Sequence, residues 1–490
     1  MKERKIDIIF YGLIGIGVFM AFFNFLYNRS LWFDEALLSL NIVGKSYAEL
    51  LRPLDDNQVA PIGFLYVEKF ISSLFGSTDW SLRIFPFFSF LFSIPLLFSI
   101  TKKLTDSKQV GLLACVFFVF NYLIIYYSVE VKQYSSDVCI VLFLIYYGLI
   151  FFKLNDYSSI FIYSAVGVFA IFLSNVSIVI LLSNSFVLIY NYYKKREKLI
   201  HRFIIPVLFW ISAFCIYYFL FIHHHPSKRS MLRYWQSKDA FLPLNPFHSD
   251  FFTFIFSKLK MIFTYLIIDS VAGWILIPIF ITGLLKSFKN FNTIIVLCCP
   301  LIIHLFLSGL KMYPFHTRLI LYLVPLIIIV LSVGLYHLHR IIKLSSMSLS
   351  YLILFSPLIF SFIVVVKNAP IEKEEVRNCM EYINRDKSRI DFLYLYCSSA
   401  PAFKFYQKKF SILTNIDSIV YGDWHRENWN LHANDVLRLK GNSWLIFSEV
   451  YSYQGKNEEQ FIIDRLRFSG YQIVQQKKYV GASCYQVIKP

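Results

Sequence analysis

The sequence predicts a polytopic α-helical membrane protein of about eleven crossings, closed by a small α/β domain outside the bilayer. Three observations lead there. The 490 residues are 57% hydrophobic and only 16% charged, whereas soluble domains carry roughly a quarter charged residues. Apolar runs of about 18 residues recur through the first three quarters of the chain, long enough to cross a ~30 Å hydrocarbon core. From about Lys367 onward charges become frequent and short strand and helix periods replace the runs. The 52 Phe and 33 Tyr suit aromatic belts at both membrane surfaces.

The expected spans are Ile6–Tyr27, Ile84–Thr101, Val110–Tyr127, Val138–Phe152, Ser158–Ser174, Val176–Tyr193, Phe203–Ile222, Val271–Leu285, Thr293–Leu310, Leu319–Leu338 and Leu349–Val366. Their short connections are unequal in charge. One set carries Lys2, Arg4, Lys5, Lys102, Lys103, Lys108, the cluster Lys194, Lys195, Arg196, Lys198, Arg202, and then Lys286, Lys289, Arg340 and Lys343. The opposite set carries Lys132, Lys311, Arg318 and little else. Basic residues mark the cytoplasmic side, so the N-terminus is expected inside. An odd number of crossings then puts the C-terminal segment outside. The first apolar run has no small-x-small cleavage site and reads as a retained helix in the inner (plasma) membrane.

Two outer loops are long, residues 28–83 and 223–270. Both contain amphipathic stretches, Pro61–Phe75 and Phe251–Ile268, that read as interfacial helices. The boundary divides the chain into a membrane domain, 1–366, and an extracytoplasmic α/β domain, 367–490. In the latter, helices are expected at Glu372–Asn384, Ala400–Phe410 and Glu458–Phe468. Strands are expected at Asp391–Tyr396, Ser443–Phe447, Gln472–Gln475 and Cys484–Ile488. No GxGxxG or P-loop is present, so no nucleotide chemistry is assigned. The net charge of +17 lies mostly in inter-helix connections, where it orients the chain and meets anionic head groups rather than nucleic acid. The eight Cys show neither a CxxC pair nor zinc spacing.

Chemistry gathers at the outer ends of the helices. Leu31-Trp32-Phe33-Asp34-Glu35-Ala36 follows the first span closely; alone, the acidic pair also suits the first turn of a solvated helix. Glu130, Lys132 and Asp137 crowd a very short turn, His316 and Arg318 precede the tenth span, and Arg83 precedes the second. Individually these are loop charges or snorkelling cations; together they offer a carboxylate base and several cations on one face.

In this combination the chain resembles the GT-C superfamily of polyprenyl-phosphate-sugar-dependent membrane glycosyltransferases, which includes protein O-mannosyltransferases and aminoarabinose transferases. The resemblance rests on Trp32-Phe33-Asp34-Glu35-Ala36, the Asn57 to Lys69 stretch, Arg83, Glu130-Val131-Lys132-Gln133-Tyr134-Ser135 and Tyr313-Pro314-Phe315-His316-Thr317-Arg318. It implies transfer of a sugar from a polyprenyl-phosphate donor to an acceptor hydroxyl of a glycan, lipid or protein, with inversion. Asp34 would be the base, with Glu35 orienting the acceptor or tuning Asp34. Lys132, Arg318, Arg83 and His316 would bind the donor phosphate, and Glu130, Tyr134, Asp55 and Asp56 would contact substrate. Relatives include enzymes with a divalent cation near the carboxylates; nothing in this sequence demands one, and a metal is left open. A flippase of lipid-linked sugars would place polar groups within Gly- or Pro-broken helices at mid-membrane. A receptor or scaffold would leave the carboxylates and cations without a role.

Overall fold

The computed structural model describes residues 2–152, 156–195, 201–223, 225–267, 271–287, 291–344, 346–386, 390–410, 416, 418–424 and 428–489. Arg196, Lys198, Ile268 and Lys289 lie outside the described residues. The chain forms two compact units: Met1–Leu26 with Ser46–Gly76 and Arg83–Ala369, and Tyr27–Lys45 with Ser77–Leu82 and Pro370–Pro490. The first outer loop is thus shared between them.

In the first unit every expected span meets a helix. Among the described residues seven helices are long and apolar enough to cross a bilayer, and a bent pair makes an eighth. The apolar helix Tyr157–Leu173 and the apolar segment Gly273–Ser287 are shorter, and Ser177–Lys195 fills the remaining expected position. The protein is a multi-pass membrane protein. In the most apolar 18-residue stretch of Thr317–Ile342, 83% is buried, against 17% in that of Ile6–Tyr27, so the former is central and the latter peripheral. Glycines let the central helix pack backbone to backbone. A Cβ on Gly283 would fall 1.9 Å from the Val330 carbonyl oxygen, and one on Gly334 would fall 2.0 Å from that of Ile279. Such small-residue contacts join helices where lipid removes the hydrophobic drive.

The expected continuous span Val110–Tyr127 is broken instead. Lys108–Val119 and Tyr122–Ser128 meet at 64°. Asn121 explains the restart: its Oδ1 accepts from the Ile124 N–H at 2.9 Å and its amide donates to the Ile267 carbonyl at 2.8 Å. An asparagine N-cap of this kind favours a new helix start.

The second unit contains a five-stranded mixed sheet. Its strands are β1 (Phe392–Leu395), β2 (Ser418–Tyr421), β3 (Asn442–Ser448), β6 (Gln472–Tyr479) and β7 (Ala482–Ile488), in the order β2-β1-β3-β7-β6. A small hairpin, β4 (Ser452–Tyr453) and β5 (Lys456–Asn457), lies between β3 and β6 in sequence. β1 runs parallel to β2 and β3, while β7 is antiparallel to β3 and β6. β3 is buried along Ser443–Ser448, whereas β6 alternates exposed and half-buried residues, as an edge strand does. Tyr394, Phe447, Ile462, Leu466 and Val487 are core residues of this unit. The helices Val376–Arg385, Ala400–Tyr406 and Glu458–Phe468 fall where the sequence places them. β2, the helix Trp429–Leu437 and the hairpin were not expected.

Candidate active site

In the second unit the acidic motif opens the helix Phe33–Gly44, with Trp32 as its cap residue. Asp34 is half-buried, whereas Glu35 is fully buried. The Glu35 Oε2 accepts from the Trp32 N–H at 3.4 Å and lies 3.5 Å from the guanidinium of buried Arg29. This is the reach-back of a capping carboxylate, which satisfies an amide left open at a helix start.

Side chains distant in sequence complete the turn. Ser30 donates to Glu375 through its N–H at 3.2 Å and its hydroxyl at 2.9 Å. The Leu31 N–H donates to the Tyr406 hydroxyl at 2.8 Å, and the Phe33 N–H to Glu374 at 3.0 Å. The Lys373 ammonium sits 2.9 Å from the centre of the Trp32 ring. Asp79 binds Arg377 and accepts from the Tyr406 hydroxyl at 2.9 Å. Burial, and then the charge of Glu449, push the Glu374 carboxyl up to about 8, against the pull of the Phe33 N–H, Lys373 and Arg29. Glu374 therefore holds its proton in a range where an ordinary carboxyl has lost it.

In the first unit the Tyr313–Arg318 segment is pinned on two sides. His304 is buried; its Nε2 donates to the Pro314 carbonyl at 3.1 Å, which leaves Nδ1 to accept from the Tyr322 hydroxyl at 2.8 Å. The Phe315 N–H donates to the Ala240 carbonyl at 2.7 Å, and the Ser308 hydroxyl donates to the same oxygen at 3.1 Å. The second outer loop is thereby tied to the motif. One consequence is an aromatic clamp: the Arg318 guanidinium lies 5.8 Å from both the Tyr134 and Trp235 rings. The Trp235 ring also meets His316 at 5.3 Å.

Lys132, buried, donates to Gln58 Oε1 at 2.8 Å. Glu130 and Arg83 are fully buried. Burial lowers the His316 pKa to about 4, and Lys258, Arg318 and Lys238 add to it. His316 is therefore neutral at pH 7 and can offer a phosphate one N–H but no charge. Lys258, 8% exposed and 4.9 Å from the Phe254 ring, is a buried cation near the same histidine.

The structure thus brings Tyr134, His316 and Arg318 around Trp235, with Glu130 and Lys132 in the turn that leads to Tyr134. Asp34 and Glu35 belong to the second unit. Asp55 and Asp56 are exposed, while the backbone carbonyl of Asp55 accepts from the N–H of Gln58, the partner of Lys132, at 3.2 Å. Sequence reasoning missed Gln58, Trp235, Lys258, Glu374, Glu375 and Tyr406. Only the charges at Glu374, Glu375 and Lys258 left any trace there, and nothing linked them to a site. Among the described residues no group of three or more His, Cys, Asp or Glu could hold a metal ion.

Residues 59–224, about a third of the chain, match the family model of dolichyl-phosphate-mannose-protein mannosyltransferases. The segment includes Arg83, Glu130, Lys132 and Tyr134 but not Asp34 or Arg318. The fold matches ArnT from Cupriavidus metallidurans bound to undecaprenyl phosphate at TM-score 0.57 and 10% identity, over 98% of this chain and 97% of that one. The apo state of the same ArnT matches at TM-score 0.54 and 10% identity, over 99% and 98%. The chain has the fold of this ArnT. No curated protein matches its sequence. At this identity the likeness is one of architecture, spanning nearly the full length of both chains, and the chemistry rests on the side chains.

Proposed function

We propose that this multi-pass membrane protein is a glycosyltransferase that moves a sugar from a polyprenyl-phosphate donor to an acceptor hydroxyl on the non-cytoplasmic face, with inversion. The observation that carries the reading is the Arg318 guanidinium held near the Tyr134 and Trp235 rings, with neutral His316 against the same Trp235. The acceptor oxygen forms a bond to the anomeric carbon as that carbon's bond to phosphate oxygen breaks. The hydroxyl proton passes to Asp34, and the electron pair leaves on the polyprenyl phosphate. Fixed cations stabilise that departing charge; Lys132, Arg318 and Arg83 are assigned to it, with His316 donating a neutral hydrogen bond. Glu35, engaged by Arg29 and the Trp32 amide, is a positioning residue for Asp34. Glu130, Tyr134, Asp55 and Asp56 are assigned to substrate contacts.

The basic connections support an N-terminus in the cytoplasm and residues 367–490 outside the inner membrane, with 1–366 as the catalytic membrane domain. The partners are a lipid-linked sugar, a glycan, lipid or protein acceptor, and membrane lipids. The test is transfer from a panel of radiolabelled polyprenyl-phosphate sugars by the purified chain, with Asp34→Asn as control. That variant keeps the shape but removes the proton acceptor, so transfer falls about 10²–10⁴-fold while donor binding persists. Transfer by Asp34→Asn at the wild-type rate would remove Asp34 from the mechanism.

A further inference from the structure

The first unit has a second polar site at the other end of its central helix. Arg318 and Arg340 are 22 residues apart in sequence on the helical segment Thr317–Ile342. At about 2 Å per residue over the 3-10 turns Thr317–Leu323 and about 1.5 Å beyond them, that is roughly 35 Å, about the thickness of the hydrocarbon core. Around Arg340 lies a cavity of about 630 Å³, within the size range of ligand pockets. Its polar lining is Gln109, Tyr336, His337, His339, Arg340 and Lys343. Ile6, Phe10 and Leu354 supply an apolar wall from two other helices.

No carboxylate is among the described lining residues. Asp7, next to Ile6, is engaged by Lys108 at 2.7 Å, so its charge is already met. His339 is buried and its Nδ1 donates to the Ser350 carbonyl at 3.1 Å, leaving Nε2 as its second polar atom. Cations in a last helical turn have a sufficient reason in the carbonyls exposed there. A half-open pocket that joins them to three further kinds of polar side chain and to an apolar strip has not.

We infer that this cavity binds the phosphate headgroup of an anionic phospholipid, with the start of an acyl chain along Ile6, Phe10 and Leu354. Basic pockets between membrane helices suit that chemistry. The site is separate from the proposed donor site and does not depend on the transferase reading.

The test uses the full-length purified chain in detergent micelles doped with phosphatidylglycerol, phosphatidylcholine or neither, with bound lipid counted by native mass spectrometry. The expected result is at least a thirtyfold preference for phosphatidylglycerol, largely lost in the double variant Arg340→Gln/Lys343→Gln, as two cations near a membrane surface, each worth about 1 kcal/mol, imply. Lys102→Gln/Lys103→Gln removes two basic residues from another short connection and should change nothing. Leu354→Trp, which fills the cavity with its charges intact, should also reduce binding and serves if the double variant misfolds. Equal binding of the two lipids, wild-type binding by a folded Arg340/Lys343 variant, or an equal loss in the Lys102/Lys103 variant would overturn the site. Displacement of phosphatidylglycerol by millimolar inorganic phosphate, with the same thermal stabilisation, would assign a soluble phosphate instead and overturn the lipid.

Discussion

Replacing Arg318 separates two contributions that the clamp combines. The guanidinium lies 5.8 Å from both Tyr134 and Trp235, near the outer limit of a cation–π contact. Each ring is then worth about 0.5–1 kcal/mol, and the pair about 1–2 kcal/mol. Arg318→Lys keeps the charge but loses the planar stack and the paired donors, so affinity for a polyprenyl phosphate should fall about 5–30-fold. Arg318→Gln also removes a charge-assisted contact worth about 1.5–3 kcal/mol, which brings the loss to the order of 10³-fold. Trp235→Leu removes one face of the clamp and should cost about 2–5-fold. Equilibrium titration of polyprenyl phosphate into each purified variant measures all three. Wild-type affinity in Arg318→Gln would refute the phosphate role, and a Lys variant within twofold of wild type would refute the clamp.

The two carboxylates of the motif should respond in opposite ways. Glu35→Gln removes the carboxylate that Arg29 and the Trp32 amide share and should lower stability by about 1–3 kcal/mol, whereas Asp34→Asn should reduce turnover with little change in melting temperature; melting curves and rates of both variants check this. Because Glu374 is raised to about 8 in the fold, the folded state holds a proton that the unfolded chain releases above its ordinary 4.5. Stability should therefore decline as pH rises from about 4.5 to about 8, and Glu374→Gln should flatten that decline in denaturation curves. Glu68 is fully buried, burial raises its pKa well above the ordinary value, and neither of its oxygens meets a hydrogen-bond partner among the described residues. Glu68→Leu should stabilise the detergent-solubilised protein by about 1–3 kcal/mol; a lower melting temperature would show that the acid has a partner the fold depends on.

The helical architecture was legible because lipid imposes one rule on every span, a long apolar run, and the eleven runs all coincide with helices. The break at Asn121 was not, since a polar residue amid Phe and Tyr looks tolerable until its amide is seen to reach Ile267. In the second unit the buried strands β1, β3 and β7 announced themselves through aromatic and branched residues. β2 buries only Val420 of its four residues, and Trp429–Leu437 buries His432, Asp435 and Val436, so neither shows an apolar face in its letters. β6 continues past its expected end because an edge strand tolerates exposed side chains such as Lys477 and Lys478. The grouping of Tyr27–Lys45 with the C-terminal residues was invisible for another reason. Glu374 and Glu375 meet Phe33 and Ser30 across more than 340 residues of chain, and one sequence has no signal for a pairing so distant.

The acidic pair shows where sequence reasoning about a site reaches its end. Read in line, Asp34 and Glu35 are equivalent, and proximity of like charge suggests that one tunes the other. A helix turns by about 100° per residue, so neighbours cannot share a face. Here the turn sends Glu35 inward, where Arg29 and the Trp32 amide use its carboxylate, and leaves Asp34 half-buried. A base must still be reachable by the hydroxyl whose proton it takes. Glu35 fails that condition by burial and Asp34 meets it, although nothing in the two letters distinguishes them. What separates the two proposed roles is the phase of the helix, whose entry is held by Glu374, Glu375 and Tyr406 at Phe33, Ser30 and Leu31. Loosening that turn should therefore impair Asp34 without touching it.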